Sequence, residues 1–326
     1  MVDRARWGAY VHAVVPVPLL AELAAAAEQR GAAVVIVPDE GTDRDVYVTL
    51  TAMALATERI MLATGITNPH SRHPVATAAA FASLAEVAPG RVVVGLGAGG
   101  TMVFGPMGLR PARPFTSLVE SVAVIDGLLA GRSVDHDGTF RTVGAAIPWS
   151  PGRLPIAITG RGPRAEGFAK TRADWVLVAG KPLERLPGLA AEVREAARAD
   201  GRDPLIVWSP MAAWTDEGFE HIRPYFAFMT VDMPPALQQR LGVTEEQVRR
   251  IRETLQHEGL AATAPLVPQS VIDAYSITGT RDVVIERLAA TVAAFRPDLV
   301  VFDLLRHTTE FVAELADLAA DVGLVA

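Results

Sequence analysis

The sequence contains no cysteine, which removes disulfides, thiolate metal sites and a cysteine nucleophile together. It also lacks any uncharged apolar run long enough to span a membrane, and its first residues, MVDRARWGAYVH, lack the apolar core of a secretory signal. A basic face is missing: net charge is −7 with acids and bases interspersed, so nothing resembles a nucleic-acid footprint. There is no HExxH, no carboxylate–histidine cluster at metal spacing, no GxSxG elbow and no Ser–His–Asp order. The expectation is therefore a soluble, cytoplasmic protein without a metal, with no nucleic-acid and no membrane partner, acting on a small-molecule substrate.

Half of the 326 residues are apolar and 21% are charged, enough for a large core. The stretch Glu58–Gly100 sets the pattern. Ile60–Ile66 is a short apolar strand closing on Thr67, Asn68 and Pro69; His73–Ala88 has helical length; Arg91–Leu96 is uncharged and β-branched after its first residue, as a strand buried on both faces should be. Strand, helix and strand make a parallel βαβ unit. The turns Thr67–His73 and Gly97–Thr101 then lie at strand C-termini, where parallel α/β folds bind ligands.

The same rhythm runs through the chain. Strands are expected at Gly8–Val15, Ala33–Val37, Leu154–Thr159, Asp174–Val178, Pro204–Met211 and Leu299–Leu304, and helices at Pro18–Arg30, Asp45–Thr57, Thr116–Ala130, from about Gly162, Glu184–Ala199, Thr280–Phe295 and Glu310–Val322. Asp137-Gly138 within Ser133–Thr142 is a hairpin signal. Residues 216–276 break the rhythm and read as a mostly helical insertion after strand seven. Eight strands alternating with helices predict an α/β fold, a (β/α)8 TIM barrel forming a single domain over 1–326, with an open doubly wound sheet as the alternative. The run Gly95–Gly100 matches the dinucleotide fingerprint poorly.

Several segments in combination resemble the bacterial luciferase-like superfamily, and within it the branch of F420-dependent methylenetetrahydromethanopterin reductase. They are PDEGTDRDVYVTLTAMALATERI, TGITNPHSRHP, PGRVVVGLGAGG, RPFTSLVE, PIAITGRGPRAEGFAKTRADWVLVAGK and SITGTRDVVIERL with PDLVVF. The resemblance covers most of the chain outside roughly 216–276. It implies a (β/α)8 barrel using the deazaflavin coenzyme F420, which transfers hydride to or from a C=N, C=C or C=O group or an alcohol. The alternatives are an FMN-dependent monooxygenase, served by a separate flavin reductase, and a barrel that binds a flavin or deazaflavin without catalysis. A homodimer is implied, with the Ala-rich stripes Ala76–Ala88 or Ala21–Ala27 as packing faces.

The matched residues take their expected roles from that resemblance. Thr159, Gly160, Arg161, Gly162, Arg164 and Ala165 end a strand and open a helix, a setting suited to the anionic tail of the coenzyme; Gly180 and Lys181 follow the next strand and could add room and charge. Gly65-Ile66 corresponds to a non-prolyl cis peptide backing the coenzyme ring, Asn68 to a hydrogen-bonding position, Asp39 to a coenzyme-contacting acid, and Ala98 and Gly99 to the strand-four exit. Each also has an ordinary reading, as a bend glycine, a turn residue or a helix cap. Two departures stand out. Glu40 occupies the place where many F420-dependent relatives carry histidine, and Gly100 replaces an acid that relatives commonly place after the glycine run. Glu40 and His12, near the end of the first strand, are the candidate catalytic groups; His70 and His73 read as capping or packing residues. Trp208, Trp214, Phe226, Phe228 and Met229, in or near the insertion, read mostly as packing.

Overall fold

The protein is described by a computed structural model covering residues 5–160 and 162–325. In chain order the elements are β1 (Arg6–Tyr10), α1 (Val17–Gln29), β2 (Val34–Val37), α2 (Val46–Ala56), β3 (Met61–Thr64), α3 (Pro74–Val87), β4 (Val92–Leu96), α4 (Thr101–Met107) and α5 (Pro114–Leu129). A hairpin of β5 (Val134–Asp137) and β6 (Arg141–Ala145) follows, then β7 (Ile156–Thr159), α6 (Pro163–Arg172), β8 (Trp175–Ala179), α7 (Leu186–Ala199) and β9 (Leu205–Ser209). The remainder is β10 (Met211–Ala213), α8 (Asp216–Ile222), α9 (Phe226–Asp232), α10 (Pro235–Arg240), α11 (Glu245–His257), α12 (Gln269–Tyr275), β11 (Ser276–Thr278), α13 (Arg281–Phe295), β12 (Leu299–Asp303) and α14 (Thr309–Asp321).

Eight parallel strands close into a barrel in the order β1, β12, β9, β8, β7, β4, β3, β2. Closure rules out the open doubly wound sheet. Strands such as VVIV in β2 and VVVGL in β4 are buried throughout, because helices cover the outside while side chains from other strands fill the inside. Val34, Ile36, Ala63, Val93, Ala157, Trp175, Val207, Leu299 and Val301 form that interior cluster. Local chemistry starts the helices. Asp45 accepts from the backbone N–H of Tyr47 and Val48 ahead of α2, and His73 Nδ1 accepts from Val75 N, with Pro74 at the first helical position of α3.

The chain divides into two compact units. The first holds the barrel and comprises the chain up to Ala179, Ala190–Ser209 and the chain from Pro297. The second is Gly180–Leu189 with Pro210–Arg296. The helical stretch expected over 216–276 falls inside this second unit, where β10 and β11 pair in parallel and Phe226, Ile251, Val271, Ile272 and Ile277 are buried. Thr244 and Gln247 form a reciprocal capping box at the start of α11.

Two expectations need correction, and one helix was missed. The first strand ends at Tyr10, not Val15: after the rungs Val11 N to Ile36 O and Leu304 N to Tyr10 O, the β-branched run VHAVV leaves the sheet as a loop. The seventh strand ends at Ser209, because Pro210 has no N–H for the ladder, and Met211–Ala213 pairs with Ser276–Thr278 instead. Helix α4 was not legible, since Gly105 and Pro106 lie inside it.

Candidate active site

The C-terminal end of the barrel is shaped first by the exit of β3. Gly65 N donates to Val37 O, and after the cis Gly65–Ile66 peptide the chain rejoins β4, with Thr67 N on Gly95 O and Gly97 N on Thr67 O. Glycine leaves room for close packing at Gly65 and at Gly97, most strictly at Gly65. A Cβ on Gly65 would stand 2.0 Å from Ile36 Cγ2, and one on Gly97 would stand 1.8 Å from Ile66 Cδ1. The Tyr10 hydroxyl donates to the Gly65 carbonyl, tying β1 to the bulge. Asn68 is buried, and its side chain is engaged within the turn: Oδ1 accepts from His70 N and Ser71 N, and Nδ2 donates to Ser71 Oγ. It therefore shapes the turn that follows the bulge.

Beside the bulge lie the ends of β1, β2 and β12. Asp39 Oδ2 accepts from Thr67 Oγ1 at 2.6 Å; burial raises its pKa against that bond. His12 stands between two carboxylates, with Nδ1 3.9 Å from Glu40 Oε2 and Nε2 3.6 Å from Asp303 Oδ2. Its ring packs edge-on to Tyr10 with centroids 5.3 Å apart, and its carbonyl meets His307 Nε2 at 3.0 Å. Burial alone would lower the His12 pKa, but the Asp303 carboxylate, together with the charges of Glu40 and Asp43, outweighs it and carries it up to about 9. Burial likewise raises Glu40, with the His12 charge opposing. His12, Glu40 and Asp43 each place a ligand atom within 4.8 Å of the others. A metal there would need the imidazole neutral, so it would compete with the proton that the same carboxylates stabilise on His12.

Two further loops complete this end. After β4, Gly99 takes φ +80°, and Phe104 of α4 occupies the space a side chain would need. Gly100 opens α4 with no side-chain cap, and a Cβ there would meet nothing within 4 Å. His70 rests against Phe104 and Phe140, and burial lowers its pKa. After β7, Thr159 Oγ1 donates to Leu177 O, and Gly160 lets α6 approach closely, since a Cβ there would lie 2.3 Å from Ala165 Cβ. No side chain caps α6 among the described residues, and Pro163 occupies its first position. The N–H groups of Arg164 and Ala165 thus lie in an uncapped first turn. The Arg164 guanidinium covers the Phe115 ring at 4.4 Å, and the acid of that turn, Glu166, is held by Lys170 at 2.7 Å.

The first unit therefore brings His12, Asp39, Glu40, Gly65, Ile66, Asn68, Ala98 and Gly99 to strand exits, and Thr159, Gly160, Gly162, Arg164 and Ala165 to one strand–helix junction. Arg161 lies outside the described residues. Gly180, with φ +59°, and Lys181 belong to the second unit. Of the large side chains read as packing, Trp208, Phe226 and Met229 are buried. Sequence reasoning missed Tyr10, Thr67 and Asp303. Thr67 sat inside a turn already singled out; Tyr10 and Asp303 carried only the signal of being the last residues of β1 and β12.

Fold and site define a parallel (β/α)8 barrel with a histidine set between two carboxylates at its C-terminal end. The chain belongs to the luciferase-like monooxygenase family, which it matches over residues 3–296. It is 32% identical over 273 residues to the 5,10-methylenetetrahydromethanopterin reductase of Archaeoglobus fulgidus, covering 80% of this chain and 82% of that one. A shorter match, 34% over 163 residues, reaches the F420-dependent glucose-6-phosphate dehydrogenase of Beutenbergia cavernae and covers 46% of this chain and 48% of that one. Among solved structures, the coenzyme F420-dependent tetrahydromethanopterin reductase of Methanopyrus kandleri superposes with a TM-score of 0.79 at 24% identity, covering 97% of each chain.

Proposed function

We propose that the protein is an F420-dependent oxidoreductase that moves a hydride between the deazaflavin and a small organic substrate, by C=N, C=C or C=O reduction or by alcohol oxidation. The observation that carries this reading is the placement of His12 beside the bulged β3 exit at the barrel's C-terminal end. The F420 dependence of relatives such as the glucose-6-phosphate dehydrogenase supports it. The residues fit the coenzyme: the uncapped first turn of α6 offers N–H groups to an anionic tail, and its one acid is already paired.

Thr159, Gly160, Gly162, Arg164 and Ala165 would hold the tail; Gly65 and Ile66 would back the ring, with Ala98 and Gly99 at its border and Asp39 presenting a carboxyl fixed by Thr67. When bound and reduced, the coenzyme supplies the hydride. The chain supplies the proton. His12 is protonated at neutral pH and sits in a partly buried cluster, so it can donate to a heteroatom that gains negative charge. Glu40, raised by burial, can exchange a proton with it. In the oxidative direction the same groups accept the proton.

The test is a titration of the purified protein with F420 and with FMN, followed by tryptophan fluorescence, and then turnover of reduced F420 with imines, enones and ketones. F420 should bind at least about tenfold more tightly, about 1.4 kcal/mol. Preference for FMN with oxygen uptake would replace this reading with oxygenation, and tight binding without turnover would replace it with a binding protein.

The reading includes a homodimer. Helix α2 carries no charged residue, and Val48 and Leu55, seven residues apart on one face, are 58% and 75% exposed. The alanines Ala24, Ala27, Ala78, Ala82 and Ala85 are buried within the chain, so the α2 face is the better surface for pairing. No helix among the described residues is long and apolar enough to cross a membrane.

A further inference from the structure

The two carboxylates around His12 are not equivalent. A neutral imidazole has one N–H and one lone pair, so in either tautomer one of Glu40 and Asp303 would face a lone pair. Asp303 is the last residue of β12 and pairs in register with Tyr10, so its backbone is fixed by the barrel ladder. Its Oδ1 is shielded from solvent and accepts no hydrogen bond among the described residues, and its Oδ2 stands 3.6 Å from His12 Nε2. Glu40 lies instead on the loop leaving β2, 3.9 Å from Nδ1. With Oδ1 already shielded and without a donor, turning a lone pair toward this half-buried carboxylate is costly, so the N–H facing Asp303 is the one the protein gives up last.

We infer that Asp303 is a positioning residue for the proposed reaction: it holds the Nε2–H of His12, so that Nδ1, on the Glu40 side, is the nitrogen that gives up and takes back the proton. The assignment rests on the hydride-transfer reading above. In reduction of a C=N or C=O bond, the carbon gains the hydride and the heteroatom gains the Nδ1 proton. His12 is left neutral with its remaining proton on Nε2, and Nδ1 recovers a proton from solvent past Glu40. The groups facing His12 are Tyr10 from β1, Glu40 and Asp43 from the β2–α2 loop, Asp303 from β12 and His307 from the loop beyond it.

The experiment is NMR titration of the full chain labelled with ¹⁵N-histidine, read for His12 without any coenzyme. The neutral ring in the unsubstituted protein should carry its proton on Nε2. Asp303→Asn should lower the His12 midpoint by at least about one pH unit, a tenfold loss of proton affinity, and mix the tautomers; Asp303→Glu should restore both. Glu40→Gln should shift the midpoint while leaving the Nε2–H tautomer in place. The alkaline limb of kcat should follow the His12 midpoint. A neutral ring protonated on Nδ1 in the unsubstituted protein overturns the assignment even if Asp303→Asn does not fold, and so does an Asp303→Asn titration unchanged in midpoint and tautomer. Failure to bind or oxidise reduced F420 would sink the hydride-transfer reading separately, since the tautomer is measured in its absence.

Discussion

His12 shows how one residue's chemistry depends on its neighbours. Its pKa is carried from 6.5 to about 9 by the carboxylates around it. Because the folded value is the higher one, the stabilisation is fully present below pH 6.5 and is lost as pH rises through about 9. The melting temperature of the unsubstituted protein should therefore fall across that window more steeply than that of His12→Gln. The same variant should lose roughly 10²-fold or more in kcat for reduction at pH 7, the usual scale of a general acid, with little change in F420 affinity. Gly65→Ala places a Cβ 2.0 Å from Ile36 Cγ2. It should cost about 1–3 kcal/mol in urea unfolding and weaken coenzyme binding. Gly100→Asp meets open space at an uncapped N-terminus. It should fold normally and stabilise by up to about 1 kcal/mol in the same assay.

At the scale of elements, the barrel strands were readable because strands buried on both faces need apolar, largely β-branched runs, as in VVIV of β2, VVVGL of β4 and the LVVF that precedes Asp303 in β12. Helices with chemical start signals were readable too: Asp45 and His73 are both caps. Helix α4 was not, because its residues include Gly105 and Pro106 and its position is set by packing of Phe104 over Gly99. The β7–α6 junction depends on a close approach at Gly160. Gly160→Ala would put a Cβ 2.3 Å from Ala165 Cβ and push the first turn of α6 away from the strand. Affinity for the phosphate-bearing coenzyme should drop at least about tenfold, equivalent to 1.4 kcal/mol, with far-UV circular dichroism unchanged.

For the whole molecule, the closed sheet decides where chemistry can occur, since every parallel strand delivers its exit to the same end. Self-association belongs to this scale. Replacing Leu55, 75% exposed on the uncharged α2, by Arg should halve the mass seen by light scattering while leaving the barrel folded. An unchanged mass would move the interface elsewhere.

The sequence by itself determined the eight strands, most of the helices and the glycine-lined exits, because buried parallel strands and tight bends each demand residue types that can be read locally. It also supplied His12 and Glu40 as candidates. Only the tertiary structure decided that His12 leaves the sheet after Tyr10 and meets Asp303, at the other end of the chain. That pairing comes from barrel closure, which joins β1 to β12 through contacts that no local pattern of residues encodes.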